Sequence, residues 1–420
     1  MEASPRVLRP NRAQLELRPT DLESLLPEDH RVRAVWEFVE GLDLTPLYER
    51  IRSVEGHAGR PAIDPAILMA LWLYATVEGV GSARALARLC EQHDAYRWIC
   101  GGVSVNAHTL SDFRVAHEAV LDELLTRSVA RLMEAGLVTL RRVAQDGMRV
   151  RASAGAASFR RRKRLRELER EARQQVEALR RELDDDPAAT SRRQTEARLR
   201  AAKDRQARVK RALSEMPEVE AKKAPEEKSE ARVSTTDAEA RVMRMADGGY
   251  RPAYNAQFAT DPVSQVIVGV EVTNEGSDQG QLEPMLDQLG ERYEATPADA
   301  LVDGGFIKLE VIERVAARGC RVYGPVPTPR DPDRNPHRPL LKDPPAVAAW
   351  RERMGRETAK HIYKLRAATA ECVNAISRNR GLRQLPVRGR RKVRTVLLWF
   401  ALAHDMMRDF ALREAARGAA

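Results

Sequence analysis

Between His361 and Gly381 a single carboxylate, Glu371, stands among arginines and a tyrosine in a stretch of helical character. At about 100° per residue, Ile362, Leu365, Thr369, Val373 and Ile376 share one stripe. Tyr363, Glu371, Asn374 and Arg378 fan across the opposite half, with Arg366 at its edge. The first stripe packs, and the second offers an acid, a phenol and two guanidiniums together. A carboxylate that needed only a salt bridge would want one cationic neighbour. This mixture suits a metal ion bound against phosphate. Taken alone, such a face is more often a solvated helix surface with ordinary ion pairs, so the reading needs further acids.

Two are available. The β-rich run Leu137 to Gln145 leads straight into Asp146-Gly147, and Ala300-Leu-Val302 reads as a short buried strand ending at Asp303. Each Asp-Gly pair is also an ordinary turn sequence, and Asp247-Gly248-Gly249 repeats the pattern of Asp303-Gly304-Gly305 as a rival for the second acid. Asp303 is preferred because a buried strand feeds it, whereas Asp247 stands beside a stretch of flexible composition. Only folding could gather residues so far apart in sequence. Three carboxylates brought together would repel one another, unless divalent cations lie between them. Two such ions, with Asp146, Asp303 and Glu371 as oxygen ligands, can activate water or a 3′-hydroxyl and stabilise the leaving oxygen of a phosphodiester. Hard oxygen donors favour Mg2+ or Mn2+.

The elements that must position these residues divide the chain. Residues 1–136 read as an all-α domain. Asp64-Pro65 opens one helix, Gly79-Val-Gly81 ends it, Ser82 caps the next, and another begins near Thr109 with Phe113, Ala116, Val120, Leu124 and Leu125 at core spacing. Short helices joined by glycine turns suit either a helix-turn-helix reader of DNA or a plain bundle. Residues 137–420 read as a mixed α/β domain, interrupted over 157–232 by a highly charged helical hairpin and linker. In that hairpin Leu165, Leu168, Ala172, Val176, Leu179 and Leu183 form one apolar stripe; Thr195, Leu199, Ala202, Val209 and Leu213 form another. Asp184-Asp-Asp-Pro187 supplies the turn, Arg160 to Arg164 make the entrance basic, and Ala221 to Asp237 reads as a flexible exit. Two strands, Arg251 to Thr260 and Gln265 to Thr273, then form a hairpin around Asp261-Pro-Val-Ser264. Helices over Gln279–Tyr293 and Ile307–Ala317 alternate with strands at Ala298–Val302 and Cys320–Tyr323. A proline-rich loop, the Glu371 helix and an apolar helix over Val393–Phe410 complete the chain.

At 420 residues the chain can bury a substantial core. Its 71 Lys and Arg against 61 Asp and Glu leave a formal charge of +10, which suits a polyanionic partner. Cys90, Cys100, Cys320 and Cys372 form no C-x-x-C pair, which argues against a disulfide framework or structural zinc and fits a reducing cytosol. The apolar run Ala66 to Val77 is too short to span a bilayer, and Met1 to Leu17 has no apolar signal core. No Gly-x-x-x-x-Gly-Lys-Ser/Thr loop, Gly-x-Ser-x-Gly elbow or His-Glu-x-x-His pair is present. His108 is expected to cap or pack near a helix start, and His404 to pack.

These residues together resemble the ribonuclease-H-like DDE transposases of bacterial insertion sequences, specifically the eleven-eighty-two type. The resemblance runs along nearly the whole chain. It is carried by Gly59-Arg-Pro-Ala-Ile-Asp-Pro65, His108-Thr-Leu-Ser-Asp-Phe-Arg114, Val143-Ala-Gln-Asp-Gly147, Ser234-Thr-Thr-Asp237, Gly249-Tyr-Arg-Pro-Ala-Tyr-Asn-Ala-Gln257, Leu301-Val-Asp-Gly-Gly-Phe306 and Tyr363-Lys-Leu-Arg-Ala-Ala-Thr-Ala-Glu371. It implies a ribonuclease-H-like mixed sheet, a catalytic triad of Asp146, Asp303 and Glu371, and phosphate contacts from Tyr363, Arg366 and Arg378. It also implies double-stranded DNA as substrate, with terminal inverted repeats and a target site, a homodimer in the synaptic complex, and a cytoplasmic, nucleoid-associated protein. The spacing from Arg366 to Glu371 is one residue longer than in some branches, Arg378 replaces a lysine, and Asp405 follows His404 where asparagine is usual. A catalytically inactive DNA-binding relative, and a structure-directed nuclease of the same fold, are the alternatives.

Overall fold

The computed structural model describes residues 21–53, 61–185, 192–329, 331 and 333–419. The segment Met1 to Leu17, Gly59 and Arg60 of the first matching stretch, and Asp186-Pro187 of the arm's turn lie outside them.

The amino-terminal region is helical: α1 (Arg31–Glu40), α2 (Thr45–Tyr48), α3 (Pro65–Val77), α4 (Ala83–Gln92), α5 (Asp94–Cys100), α6 (Ala107–Ala116) and α7 (Glu118–Glu134). Its caps follow local chemistry. The Asp64 carboxylate accepts from Ala66 N at 2.8 Å ahead of Pro65, and Ser82 Oγ accepts from Ala85 N at 3.3 Å. Helix α3 is buried on nearly every side, as its continuous apolar run requires. Asn106, not His108, caps α6: its side chain accepts from Thr109 N at 2.9 Å, and His108 is exposed. The chain also breaks at His117, so the single core stripe expected from Phe113 to Leu125 is divided between two helices.

The second region holds strands β1 (Arg142–Arg151), β2 (Phe159–Arg161), β3 (Arg232–Ser234), β4 (Arg241–Arg244), β5 (Tyr250–Thr260), β6 (Ile267–Thr273), β7 (Asp299–Leu301) and β8 (Arg321–Tyr323). The main sheet runs β4-β5-β1-β7-β8, with β6 also paired to β5. Strand β5 lies antiparallel to β1, β4 and β6, while β1, β7 and β8 run parallel. This is a ribonuclease-H-like arrangement. The β5–β6 hairpin turns where Asp261 Oδ1 accepts from Val263 N and Ser264 N. Buried Asp299 locks the parallel strands by pairing with Arg142 and Arg321 on its two neighbours.

Two expectations need correction. Strand β1 does not end at Asp146; it continues five residues to Arg151, because β5 is long enough to pair with all of it, Asp146 opposite Phe258. The exit of the helical arm is ordered. After a 3-10 turn at Pro225–Glu230, β3 pairs with β2, and the two clamp the base of the arm. A polar composition concealed this, since the pairing is with a strand far away in sequence.

The arm itself consists of α8 (Arg162–Asp185) and α9 (Arg192–Ala221). Leu165, Val209, Ala212, Met216 and Val233 form its proximal core; Val176, Leu179, Leu199 and Ala202 form a distal one. The chain continues through α10 (Leu282–Tyr293), α11 (Leu309–Ala317), α12 (Pro345–Met354), α13 (Glu357–Arg366), α14 (Cys372–Asn379) and α15 (Arg390–Ala419). His404 and Asp405 on α15 are buried against the β5–β6 turn. His404 Nε2 lies 2.8 Å from Gln265 O, and Asp405 Oδ1 accepts from Ile267 N at 2.8 Å. Burial pushes the Asp405 carboxyl well above the usual range, and its second oxygen has no partner among the described residues. Asp405 thus ties a helix to a turn. Among the described residues, no helix is long and apolar enough to cross a membrane, and all four cysteines are free.

Candidate active site

The helix carrying Glu371 is not regular. Between α13 and α14, residues Ala367–Glu371 form a single π-helical turn that absorbs one extra residue. The wider turn brings Arg366 and Glu371, five apart, onto the same side. It also rotates the faces of α14 relative to those of α13. The buried residues after the turn are Val373, Asn374 and Ser377, with Ile376 only partly covered. Asn374, expected on the open face, instead points inward and donates from Nδ2 to Asp146 Oδ2 at 2.8 Å.

One guanidinium organises the three acids. Arg366 Nη2 lies 3.2 Å from Asp146 Oδ1 and 3.8 Å from Asp303 Oδ2, and Nη1 lies 3.6 Å from Glu371 Oε1. Asp146 comes from the middle of β1, Asp303 from the end of neighbouring β7, and Glu371 from the covering helix. Exposure rises across the set, with side chains 17%, 38% and 64% accessible, so the cluster opens outward through Glu371. Burial raises the Asp146 carboxyl above its ordinary range; Arg366 opposes that shift, while Asp303 and Asp278 add to it. Asp303 serves two purposes: its Oδ1 caps the turn by accepting from Gly305 N at 2.8 Å, which leaves Oδ2 for Arg366. The rival Asp247 is exposed in the β4–β5 turn and paired with Arg251 at 2.7 Å.

Tyr363 is half-buried. Burial and the nearby acids raise its phenol, against the pull of Arg366. Arg378 does not join the cluster. It is exposed and lines a neighbouring recess of about 310 Å³ with Gly147, Arg149 and Arg244. Arg149, Arg244 and Asp278 were missed in the sequence, and Asn374 was placed on the open face without a role. Asp278, buried on a loop, accepts from Asn255 Nδ2 and Gln257 Nε2 at 2.7 Å each and from Arg149 at 3.2 Å. The alternation of Asn255 and Gln257 on a buried strand was the available signal: two amides on one sheet face require a polar partner.

Among the described residues no three His, Cys, Asp or Glu approach at metal-ligand spacing; a guanidinium stands among the acids instead. The donor set nevertheless suits a hard cation. It offers three carboxylates around a site of positive charge, and beside them Asn374 Oδ1 is buried without a partner.

Residues 223–406 match the family model described as a transposase DDE domain, and residues 20–116 match a transposase domain, DUF772. With this fold, the two matches define the class: the chain belongs to the insertion-sequence DDE transposases. The first match contains Asp303, Tyr363, Arg366, Glu371 and Arg378; Asp146 precedes it, beyond the arm, and reaches the others through β1–β5 and β1–β7 pairing. No curated protein and no solved structure matches the chain.

Proposed function

We propose that the chain, as a transposase of the eleven-eighty-two type, cleaves the ends of its element and joins their 3′-hydroxyls to target DNA, with Asp146, Asp303 and Glu371 as the catalytic acids. The observation that carries this reading is the convergence of all three on one guanidinium. The acids would hold two Mg2+ or Mn2+ ions, which when bound activate the attacking oxygen and offset charge on the leaving one. Asn374 orients the Asp146 carboxylate through Nδ2. The turn hydrogen bond fixes Asp303. Arg366, released from the acids, is within reach of a phosphate at the same place, and its planar donor fork matches phosphate oxygens. Tyr363, beside the acids, and Arg378, in the neighbouring recess, would hold the strand ends. The helical amino-terminal region would recognise the terminal inverted repeats, and synapsis of two ends implies at least a dimer, here a homodimer. A cytoplasmic, nucleoid-associated location accords with such a substrate.

The test is strand cleavage and joining on duplexes carrying the inverted repeats that flank the reading frame, with Mg2+, by the wild type and by D146A, D303A and E371A. Each substitution is expected to abolish both steps while DNA binding persists. Undiminished cleavage by any of the three rejects its role. A second reading, a DNA-binding protein without catalysis, draws on Arg366 standing where cations would lie; end binding with no metal-dependent cleavage would favour it. Cutting of branched DNA without joining would instead indicate a structure-directed nuclease.

A further inference from the structure

At the base of the helical arm, a cleft of about 330 Å³ is lined by Arg160, Arg164, Arg205 and Arg208 together with Thr235 and Thr236. No carboxylate lines it among the described residues. A second recess of about 120 Å³ shares Arg208 and both threonines and adds Arg211 and Arg388, but Glu215, Asp237 and Glu239 line it too, so its charge is mixed and the first cleft is the basic one.

This charge is only partly spent within the protein. Arg164 bonds to Glu167 and Glu171, and Arg205 reaches Glu171 at 3.8 Å. Arg160 donates to the adjacent Phe159 carbonyl, and Arg208 has no acidic partner among the described residues. The threonines belong to Ser234-Thr-Thr-Asp237, whose backbone is pinned by the Ser234 hydroxyl, which accepts from Thr236 N and Asp237 N at 3.0 Å each. The Thr235 hydroxyl donates to Ser158 O at 3.3 Å, and both threonines line the cleft with the arginines.

The cleft is also held firmly in place. Arg162 pairs with Glu220 through two hydrogen bonds of 2.6 and 2.5 Å, Arg241 pairs with Glu215 at 2.9 Å, and β2–β3 closes the base over the Leu165–Val209–Met216 core. Guanidiniums fixed beside hydroxyls suit phosphate oxygens, and a row of them suits successive phosphates of a nucleic-acid backbone.

We infer that the base of the arm is a phosphate-binding clamp for duplex DNA, separate from the acid cluster and engaged by DNA that continues past it. The inference rests on the transposase reading and specifies where the substrate runs. Arg388 Nε bonds to Ser153 O just beyond the end of β1 at 3.2 Å. The second recess thus adjoins the carboxyl-terminal end of the strand that carries Asp146.

The test uses the full chain and a random-sequence duplex of about 30 base pairs, with binding followed by fluorescence anisotropy across a salt series. R205A/R208A removes two exposed clamp charges. R180A/R181A removes two exposed charges from α8 near the far end of the arm, and R205K/R208K preserves charge. R205A/R208A is expected to lower the slope of log affinity against log salt by about 2 and to weaken binding roughly 10- to 30-fold at about 0.15 M salt. The control pair and the lysine pair should keep the wild-type slope. A wild-type slope in R205A/R208A, or an equal loss in R180A/R181A, overturns the clamp while leaving the transposase reading intact. If the wild type does not bind the duplex at all, both fail together.

Discussion

Arg366 and Glu371 face each other at 3.6 Å because the helix widens into a π turn between them. Residues five apart on a regular α-helix diverge by about 140°, and the extra residue would otherwise have carried Glu371 out of the cluster.

Deleting Ala368, which is exposed, should therefore restore regular α-helix and leave Arg366 and Glu371 four apart and still neighbours. The expected outcome is a folded protein with an unchanged or higher melting temperature and retained end cleavage. Inserting a further alanine there should turn Glu371 away by about 100° and abolish cleavage. Survival of cleavage in the insertion variant would show that the turn does not set the geometry, and loss of cleavage in the deletion variant would show that it does more than absorb the extra residue.

The strand leading to Asp303 was legible because buried apolar residues precede a turn-forming acid, and both facts are local. The hairpin around Asp261 was legible for the same reason. Asn374 was not, since a helical wheel assumes a constant angle per residue and the π turn resets it. Nor was the pairing of β3 with β2, which depends on a partner some seventy positions away and runs against a polar composition. The continuation of β1 beyond Asp146 escaped notice because Asp-Gly commonly marks a turn, whereas here glycine is required for a close approach on the opposite sheet face.

Arg366 is the counter-charge of the cluster. R366A leaves Asp146, buried and raised by desolvation, facing Asp303 with no compensating cation. The protein without metal should lose roughly 1–3 kcal/mol, read as a lower melting temperature. Added Mn2+ should then raise that temperature more in R366A than in the wild type, since the ion no longer competes with a guanidinium. Equal metal-induced shifts in the two proteins would remove Arg366 from this role.

His404 links stability to pH. Burial holds its imidazole neutral, with the pKa lowered to about 4, against about 6.5 in an unfolded chain. The unfolded state thus binds the proton more readily. The contribution is fully present above about pH 6.5 and is lost as pH falls toward 4, by roughly 3 kcal/mol at most. Urea unfolding between these limits should show a steep decline in the wild type and a shallower one in H404Q. Parallel profiles would exclude His404 as the source.

Gly147 adjoins Asp146 but faces the other side of the sheet, where a Cβ would stand 2.0 Å from Asp278 Oδ1, 2.5 Å from Gln257 Nε2 and 2.8 Å from Asn255 Oδ1. These atoms cannot yield easily: Asp278 is held by Asn255, Gln257 and Arg149, and all but the arginine are buried. G147A must therefore either break this network or push β1 outward and carry Asp146 away from Arg366. It should cost about 1–3 kcal/mol of stability and reduce end cleavage. Shortening the obstructing side chain should relieve the clash, so G147A/D278A is expected to be more stable than the sum of the two single losses. Strictly additive losses, or a G147A protein as stable and active as wild type, would mean that the packing of Asp278 against β1 does not position the catalytic strand.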